Sequence, residues 1–237
     1  MDKAISHFRS AVTTLTRLNP NPYDGEAFYG LGLALRHGGQ LAEAEEAFAK
    51  AAWSKAWRGP AEFARAQLAA QCGGYEEAIT LLGTVIAADP DQLTARGLRA
   101  AIWRRLGDVG ACSADVAMVL AADPLDAIAL HLRLLMDGRR NGHLPGGAQT
   151  ALDVAHDYAA AGLLEEGIDV LRRQLSPGGA AAAAHPMLRY TLAWLLHQAG
   201  DPGFTEELKL ATEMPPDYCF PSRLEEIAVL EAAMRCV

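Results

Sequence analysis

Histidine and cysteine are the residues of this chain best suited to metal or nucleophilic chemistry. The 237 residues include seven histidines and four cysteines, Cys72, Cys112, Cys219 and Cys236. A structural zinc site needs such ligands in closely spaced pairs, and no cysteine here has a second Cys or a His at that spacing. His131, His156 and His197 would meet only if chain curvature brought their helices together. We therefore expect free thiols, solvated or hydrogen-bonded histidines, and no metal site.

Acid–base catalysis would need carboxylates that converge in a pocket. The pairs Glu45-Glu46, Glu76-Glu77 and Glu165-Glu166 fall on predicted outer helices, where we expect them to be solvated. Gly30-Leu31-Gly32 lies inside a predicted helix with no strand before it, so it does not form a phosphate-binding loop. The HExxH and GxSxG motifs are absent. The sequence predicts no catalytic residue, no cofactor and no enzymatic activity for this chain.

Composition indicates which elements carry these residues. The chain has 46 Ala and 32 Leu but only 16 Val and Ile together, which favours helices over a sheet. Its net charge of -8 disfavours binding to nucleic acid or to anionic membrane surfaces. No apolar run reaches 18 residues without a charge or a breaker, and Met1–Ala4 does not resemble a signal peptide. We expect a cytoplasmic protein.

A period of 34 residues runs through the first half of the chain. The period is carried by five columns: Gly39, Gly73 and Gly107; Phe48, Leu82 and Val116; Ala44, Ala78 and Cys112; Gly32, Ala66 and Ala100; and the pairs Asp89-Pro90 and Asp123-Pro124. Such a unit of helix, glycine turn, helix and proline stop is typical of tetratricopeptide repeats. Small residues permit close helix crossings, and the larger apolar column faces the next unit.

The predicted fold is an all-α, right-handed solenoid of helical hairpins over residues 1–237. Residues 1–20 form an unpaired leading helix, and residues 23–124 form three regular repeats. Residues 125–212 form degenerate repeats interrupted by loops at 137–148 and 176–186, and residues 213–237 form a strut and a terminal helix that begins with a Ser222–Glu225 capping box. Residues 3–18 resemble the second helix of a hairpin without its first, and the last helix has no predicted partner. Both ends therefore look cut, as in a piece of a longer array; a self-capping last helix is the alternative.

Several segments resemble one kind of repeat protein. These are Leu18–Glu26, Ala52-Trp53, Ala56-Trp57-Arg58, Gln149–Asp153 and Pro216–Glu225. Together they resemble the C-terminal repeat region of large bacterial proteins with an uncharacterised, β-rich N-terminal domain. The resemblance covers nearly the whole chain and none of that domain. It implies an accessory part of a larger protein that acts on sugars, and it transfers no catalytic residue.

A repeat array usually binds along its concave face, which the first helix of each hairpin lines. We therefore predict a non-catalytic module that binds a partner protein or a neighbouring domain on that face. Each hairpin is expected to supply at least one contacting side chain. The candidates are Tyr29, Arg36, His37, Phe63, Gln67, Gln71, Arg104, Arg105, His131, His156, Tyr190, Trp194 and His197. The alternative for each ring is that it packs against adjacent helices.

Two other functions stay open at this point. One is a C-terminal part of a carbohydrate-active enzyme, with Tyr190 and Trp194 stacking on a sugar. The other is self-association through the exposed ends of the solenoid. Trp53 and Trp57, four residues apart, are expected on one helical face that anchors the first unit on the second. The loop around Arg139, Arg140 and His143 is a tolerated insertion or a contact loop. In the strut, Tyr218 and Phe220 are expected to plug the end of the array.

Overall fold

The computed structural model describes residues 1–20, 22–139, 142–176, 185–217 and 219–236. These residues form thirteen α-helices and no strand. Arg140, Tyr218 and most of the second predicted interruption lie outside the described residues. The chain divides into two compact units, residues 1–102 and residues 103–237, and the division falls inside one helix of the third predicted repeat.

The helices are short and follow each other closely. The first unit contains α1 (Asp2–Thr16), α2 (Glu26–His37), α3 (Leu41–Ala51), α4 (Arg58–Gln71), α5 (Tyr75–Ala88) and most of α6 (Leu93–Arg105). The second unit contains the last turn of α6 and then α7 (Val109–Ala122), α8 (Ala127–Met136), α9 (Gly147–Ala160), α10 (Leu164–Leu175), α11 (Pro186–Gln198), α12 (Phe204–Thr212) and α13 (Leu224–Cys236).

The repeating glycines occupy the turns for which the sequence predicts them. Gly39, Gly73 and Gly107 have φ angles of 75°, 82° and 82°, in the left-handed region that residues with a Cβ rarely adopt. The Asp-Pro pairs likewise stop helices. Asp89 and Asp123 follow the last residues of α5 and α7 with extended backbones, as a following proline requires. Both predictions of local structure are confirmed.

A close helix crossing gives the first hairpin its core. A Cβ built on Gly32 would lie 2.6 Å from the ring of Phe48, so α2 and α3 approach as closely as a glycine allows. The other residues of the two small-residue columns, Ala44, Ala66, Ala78, Ala100 and Cys112, are all fully buried. Phe48 belongs to one apolar cluster with Ala64 and Leu68 of α4, so this member of the larger apolar column reaches the next repeat as predicted.

The leading helix α1 packs on α2. Ile5 is buried there, and the ring of Phe8 lies 2.4 Å from the position of a Cβ built on Gly30. In the second unit, α9 pairs with α10 and α11 with α12, through turns in which Gly162 and Gly200 have positive φ. Two contacts attach the loop after α8 to the second unit. The side chain of Leu144 is buried, and the carbonyl of Arg139 accepts a hydrogen bond from Arg173 Nη1 at 2.7 Å.

The last helix has a partner, contrary to the expectation that it stands alone. α13 packs on α11, and Arg223, just before it, bonds to Asp153 and Asp157 of α9. The predicted capping box is wrong by one residue. Glu226, not Glu225, accepts from the backbone N–H groups of Ser222 at 2.6 Å and Arg223 at 3.2 Å. The third residue of a helix is the one whose side chain reaches back to the N-cap, and α13 begins at Leu224.

Two predicted aromatic roles also fail. Trp53 and Trp57 do not share a helical face, because α3 ends at Ala51 and both residues lie in or at the end of the following turns. Of the two tryptophans, only Trp57 anchors the first repeat on the second. Phe220 plugs nothing, since 66% of it is exposed. Among the described residues, no helix combines the length and apolar character needed to cross a bilayer.

The α2–α3 crossing predicts how two glycine substitutions in the first unit change the free energy of unfolding, one at the crossing and one as its control. Gly32→Ala should lower the free energy of unfolding by about 1–3 kcal/mol, because the added methyl overlaps the buried Phe48 ring. Gly83→Ala, inside α5 with no atom closer than 4.0 Å to the new Cβ, should raise it by about 0.5–1 kcal/mol. Urea titration measures both. Equal effects of the two substitutions would contradict the crossing.

Candidate protein-binding faces

The first candidate surface lies on two helices of the first unit. The α2–α4 face consists of Tyr29, Arg36 and His37 from α2 and Phe63, Gln67 and Gln71 from α4. Their spacings of seven or eight residues on α2 and of four on α4 place them along one side of each helix. Arg36 Nη1 donates to Gln67 Oε1 at 2.7 Å, and this bond joins the two helices. Gln71 is exposed, and the other five are partly buried.

Tyr29 has a packing role within this face. Its ring lies 5.0 Å from that of Trp57 and 5.6 Å from that of Phe48. Burial raises the pKa of the Tyr29 hydroxyl, and the charge of Arg36 partly opposes that rise. Trp57 is fixed in turn because its indole N–H donates to Asp24 at 3.0 Å. The aromatic end of the α2–α4 face is therefore rigid, and the Arg36–Gln67 pair is its polar part.

In the second unit, the predicted contacts Arg104 and Arg105 form internal ion pairs. Arg104 Nη1 lies 3.0 Å and Arg105 Nη2 lies 2.6 Å from the two carboxylate oxygens of Glu166, whose side chain is only 2% exposed. Arg105 also contacts Glu165 at 2.9 Å. The expectation that both glutamates are solvated is wrong for Glu166. Its desolvation is offset by two guanidinium groups that approach it together.

His131 lies in a second buried polar network. Its Nδ1 is 3.0 Å from the hydroxyl of Tyr158, and its Nε2 is 2.8 Å from Asp169 Oδ2, which also contacts Arg173. The Asp–His–Tyr order has the connectivity of a catalytic relay. However, His131 is fully buried and Tyr158 is 1% exposed, so no substrate reaches either group. Burial lowers the pKa of His131, an effect that the hydrogen bond to Asp169 partly opposes, and burial raises the pKa of Tyr158 well above its usual range.

The remaining candidates lie beneath the last helix. Tyr190, Trp194 and His197 of α11 line a narrow crevice of about 40 Å³, which Val229, Ala232 and Ala233 of α13 also line. A buried water needs about 10–15 Å³ of such space, so the crevice has room for a few waters and none for a sugar ring. His197 is exposed at its edge, with its ring 4.9 Å from that of Phe204.

His156 lies where α13 meets α9. It is 1% exposed, and neither ring nitrogen has a hydrogen-bond partner among the described residues. The nearest carboxylate oxygen, Glu226 Oε1, is 4.0 Å from Nε2. Burial and then the charge of Arg223 lower the pKa of His156, and the opposing effect of Glu226 is smaller. Since His131 and His156 are both buried, neither side chain is presented to a partner.

Comparison with solved structures supports the architecture. A tetratricopeptide repeat protein from Parabacteroides merdae aligns with a TM-score of 0.53 at 16% identity, over 95% of this chain and 90% of that one. The fold is tetratricopeptide-like. Lower TM-scores are found for MamA from Desulfovibrio magneticus (0.43, 16% identity, 80% and 94% coverage) and for the Cut9–Hcn1 complex (0.48, 15% identity), where the aligned part is 46% of the other chain. No protein-family model and no curated protein sequence matches the chain.

The tetratricopeptide-like fold brings together only part of the predicted site. Arg36 and Gln67 meet, as do Tyr190, Trp194 and His197. The unforeseen polar residues are Tyr158, Asp169, Glu166 and Glu226. In the sequence, each appears only as a polar residue at a helical position that faces the core. This signal is weak because the partner of each residue lies on a different helix. Among the described residues, no group of histidines, cysteines and carboxylates could hold a metal ion.

The environment of His156 predicts how stability depends on pH. A pKa lowered on folding means that the native state binds this proton less tightly than the unfolded state, so stability is complete above the unfolded value of about 6.5 and is lost as pH falls below it. When the pH is lowered from about 7.5 to about 5.5, the free energy of unfolding should therefore fall less in the His156→Leu protein than in the wild type.

His143→Leu is the matched control, because His143 is exposed. This substitution should leave the pH dependence as it is in the wild type. Urea unfolding at the two pH values gives the comparison directly. A His156→Leu protein with the same loss as the His143→Leu protein would show that burial of His156 does not penalise its protonation.

Proposed function

We propose that this chain is a non-catalytic protein-interaction module that binds a partner protein, or a neighbouring domain of its own polypeptide, on the α2–α4 face. The observation that carries the proposal is the Arg36–Gln67 hydrogen bond, which holds a guanidinium in place on a face that also contains Tyr29 and Phe63. Arginine and aromatic residues dominate the binding energy of protein interfaces, and a fixed side chain loses less entropy on binding.

The α2–α4 face suits an extended polypeptide better than a small molecule. Gln67 and Gln71 are four residues apart on α4, and glutamine side chains offer both donors and acceptors to a peptide backbone. Arg36 favours a partner carboxylate. We propose the cytoplasm as the compartment, because the exposed Cys72 is a free thiol and thiols stay reduced there.

The runner-up, an accessory part of a carbohydrate-active enzyme, has weaker support. Its sugar-stacking rings, Tyr190 and Trp194, border the crevice beside α13, which has too little space for a sugar. Self-association has a more specific observation in its favour. Leu224, Ile227 and Met234 of α13 are 61%, 43% and 73% exposed, and such apolar faces commonly mark contact surfaces.

Site-specific photo-crosslinking in the source cells tests the α2–α4 face. A benzophenone amino acid at Gln71 should give crosslinks to a discrete protein partner, and adding Arg36→Glu should reduce their yield about tenfold or more, the effect of losing a strong interface contact. The same probe at Thr80, exposed on α5, is the control. Equal crosslinking from both positions, or no effect of Arg36→Glu on a protein with an unchanged helical circular dichroism spectrum, would refute the proposal.

Sedimentation equilibrium tests self-association separately. If α13 joins two copies, the wild-type mass should rise with concentration, and Met234→Glu should restore the monomer mass by placing a charge in the apolar contact. Met118→Glu is the control, because Met118 is 56% exposed on α7. A wild-type protein that stays monomeric at every concentration would exclude this mode.

A further inference from the structure

A cationic, tryptophan-containing segment interrupts this acidic protein. Residues 50–58 contain Lys50, Lys55 and Arg58, two tryptophans and no carboxylate, in a chain whose net charge is -8. Among the described residues, no carboxylate forms an ion pair with any of these three cations. The segment is therefore a local positive surface on a molecule that otherwise repels anions.

The two tryptophans of this segment differ in what they contact. Trp57 is turned inward against Tyr29 and bonds to Asp24. Trp53 is 68% exposed, and the ammonium of Lys50 lies 5.5 Å from its ring centroid. An exposed indole costs hydrophobic free energy, so it is unusual where packing alone decides the residue. Trp53 contributes little to the core and presents an aromatic surface to solvent.

Trp53 borders a shallow cleft of about 500 Å³ between α3, α4 and α5. Ala49 and Ala52 give the cleft an apolar part, and Arg58 lies at its edge, where its Nε donates to the carbonyl of Ala52 at 3.3 Å. Arg65 and Glu62 also line it, and Arg65 pairs with Glu62 at 2.8 Å and with Glu45 at 2.6 Å, so this guanidinium adds no positive charge that a partner could use. Arg58 is therefore the lining cation that forms no ion pair among the described residues; Lys50 lies against the Trp53 ring, and Lys55 is an exposed residue of the same turn, two positions after Trp53.

We propose that this cleft, the Trp53 cleft, is a second binding site, for an acidic segment of a partner protein. Carboxylates of the segment would pair with Arg58, Lys50 and Lys55, and an aromatic or proline residue would pack on the Trp53 ring. Its residues differ from those of the α2–α4 face, so the two sites stand or fall separately. A nucleic acid fits less well, because three cations on a chain of charge -8 neutralise few phosphates.

Fluorescence anisotropy with defined peptides tests the Trp53 cleft. The probe is a short fluorescein-labelled peptide that repeats Glu-Glu-Phe-Pro, and the comparison peptide has lysine in place of each glutamate. The acidic peptide should bind saturably and more weakly as salt increases, and the lysine peptide should not bind. Trp53→Ala and Arg58→Glu should each weaken binding about tenfold.

Matched variants separate this site from general effects of charge and aromatic content. Phe220→Ala removes another exposed aromatic residue, and Arg235→Glu makes the same charge change as Arg58→Glu at an exposed position. Both should bind the acidic peptide as the wild type does, and so should Arg36→Glu, which alters only the α2–α4 face. Trp53→Phe, which keeps an aromatic surface, should retain most of the affinity.

Several results would overturn the Trp53 cleft. These are absence of binding at low salt, equal binding of the acidic and lysine peptides, and equal weakening by Arg58→Glu and Arg235→Glu. Displacement of the acidic peptide by an equimolar oligouridylate would instead assign the surface to nucleic acid. If Trp53→Ala does not fold by circular dichroism, Arg58→Glu and Trp53→Phe decide the question.

Discussion

Close contact between the two helices of a hairpin is the constraint on which the rest of the regular region depends. At Gly32 the backbone of α2 lies against the Phe48 ring with no room for a methyl group. This approach lets a short helix of 12 residues and one of 11 residues bury a shared apolar surface. Phe48 then extends into the cluster that contains Ala64 and Leu68 of α4. The α2–α4 face follows, because adjacent first helices are held at hydrogen-bonding distance across Arg36 and Gln67.

Where the period fails, buried polar contacts connect the helices. In the second unit, Glu166 of α10 receives guanidinium groups from the end of α6, and Asp169 of the same helix receives His131 of α8. Such networks are stabilising only when nearly every member has a partner, and they favour a single arrangement of the helices. This requirement explains why several residues that the sequence offers as binding contacts are used internally.

The repeats were predictable because their information is local. Glycine at a left-handed turn, proline after a helix end and a small residue at a crossing each report on their own neighbourhood, and the 34-residue spacing adds them together. The ends of the helices, and the contacts between residues far apart in the sequence, were not predictable. Trp53 and Trp57 suit one helical face only if α3 continues, whereas it ends at Ala51. The burial of Glu166 depends on Arg104 and Arg105, which are about 60 residues earlier in the chain.

For the candidate site, helical spacing groups residues on one side of a helix but does not identify the contacts that they make. Helical spacing predicts which residues share one side of α2 or of α4. In contrast, α13 lies beside Tyr190 and Trp194 because the chain returns to α11, and no local sequence pattern encodes that return. The Trp53 cleft had a sequence signal, three cations and two tryptophans in nine residues. Its meaning depended on knowing which tryptophan is exposed.

A double-mutant cycle at the α2–α3 crossing tests the central claim most directly. If contact between the Gly32 backbone and the Phe48 ring sets the spacing of the hairpin, Gly32→Ala should be strongly destabilising in the wild type and much less so in a Phe48→Leu protein, where the ring is gone. The predicted coupling free energy is about 1 kcal/mol or more in urea unfolding. Additive effects of the two substitutions would show that the helices do not meet at this crossing, and would contradict the account of the first hairpin.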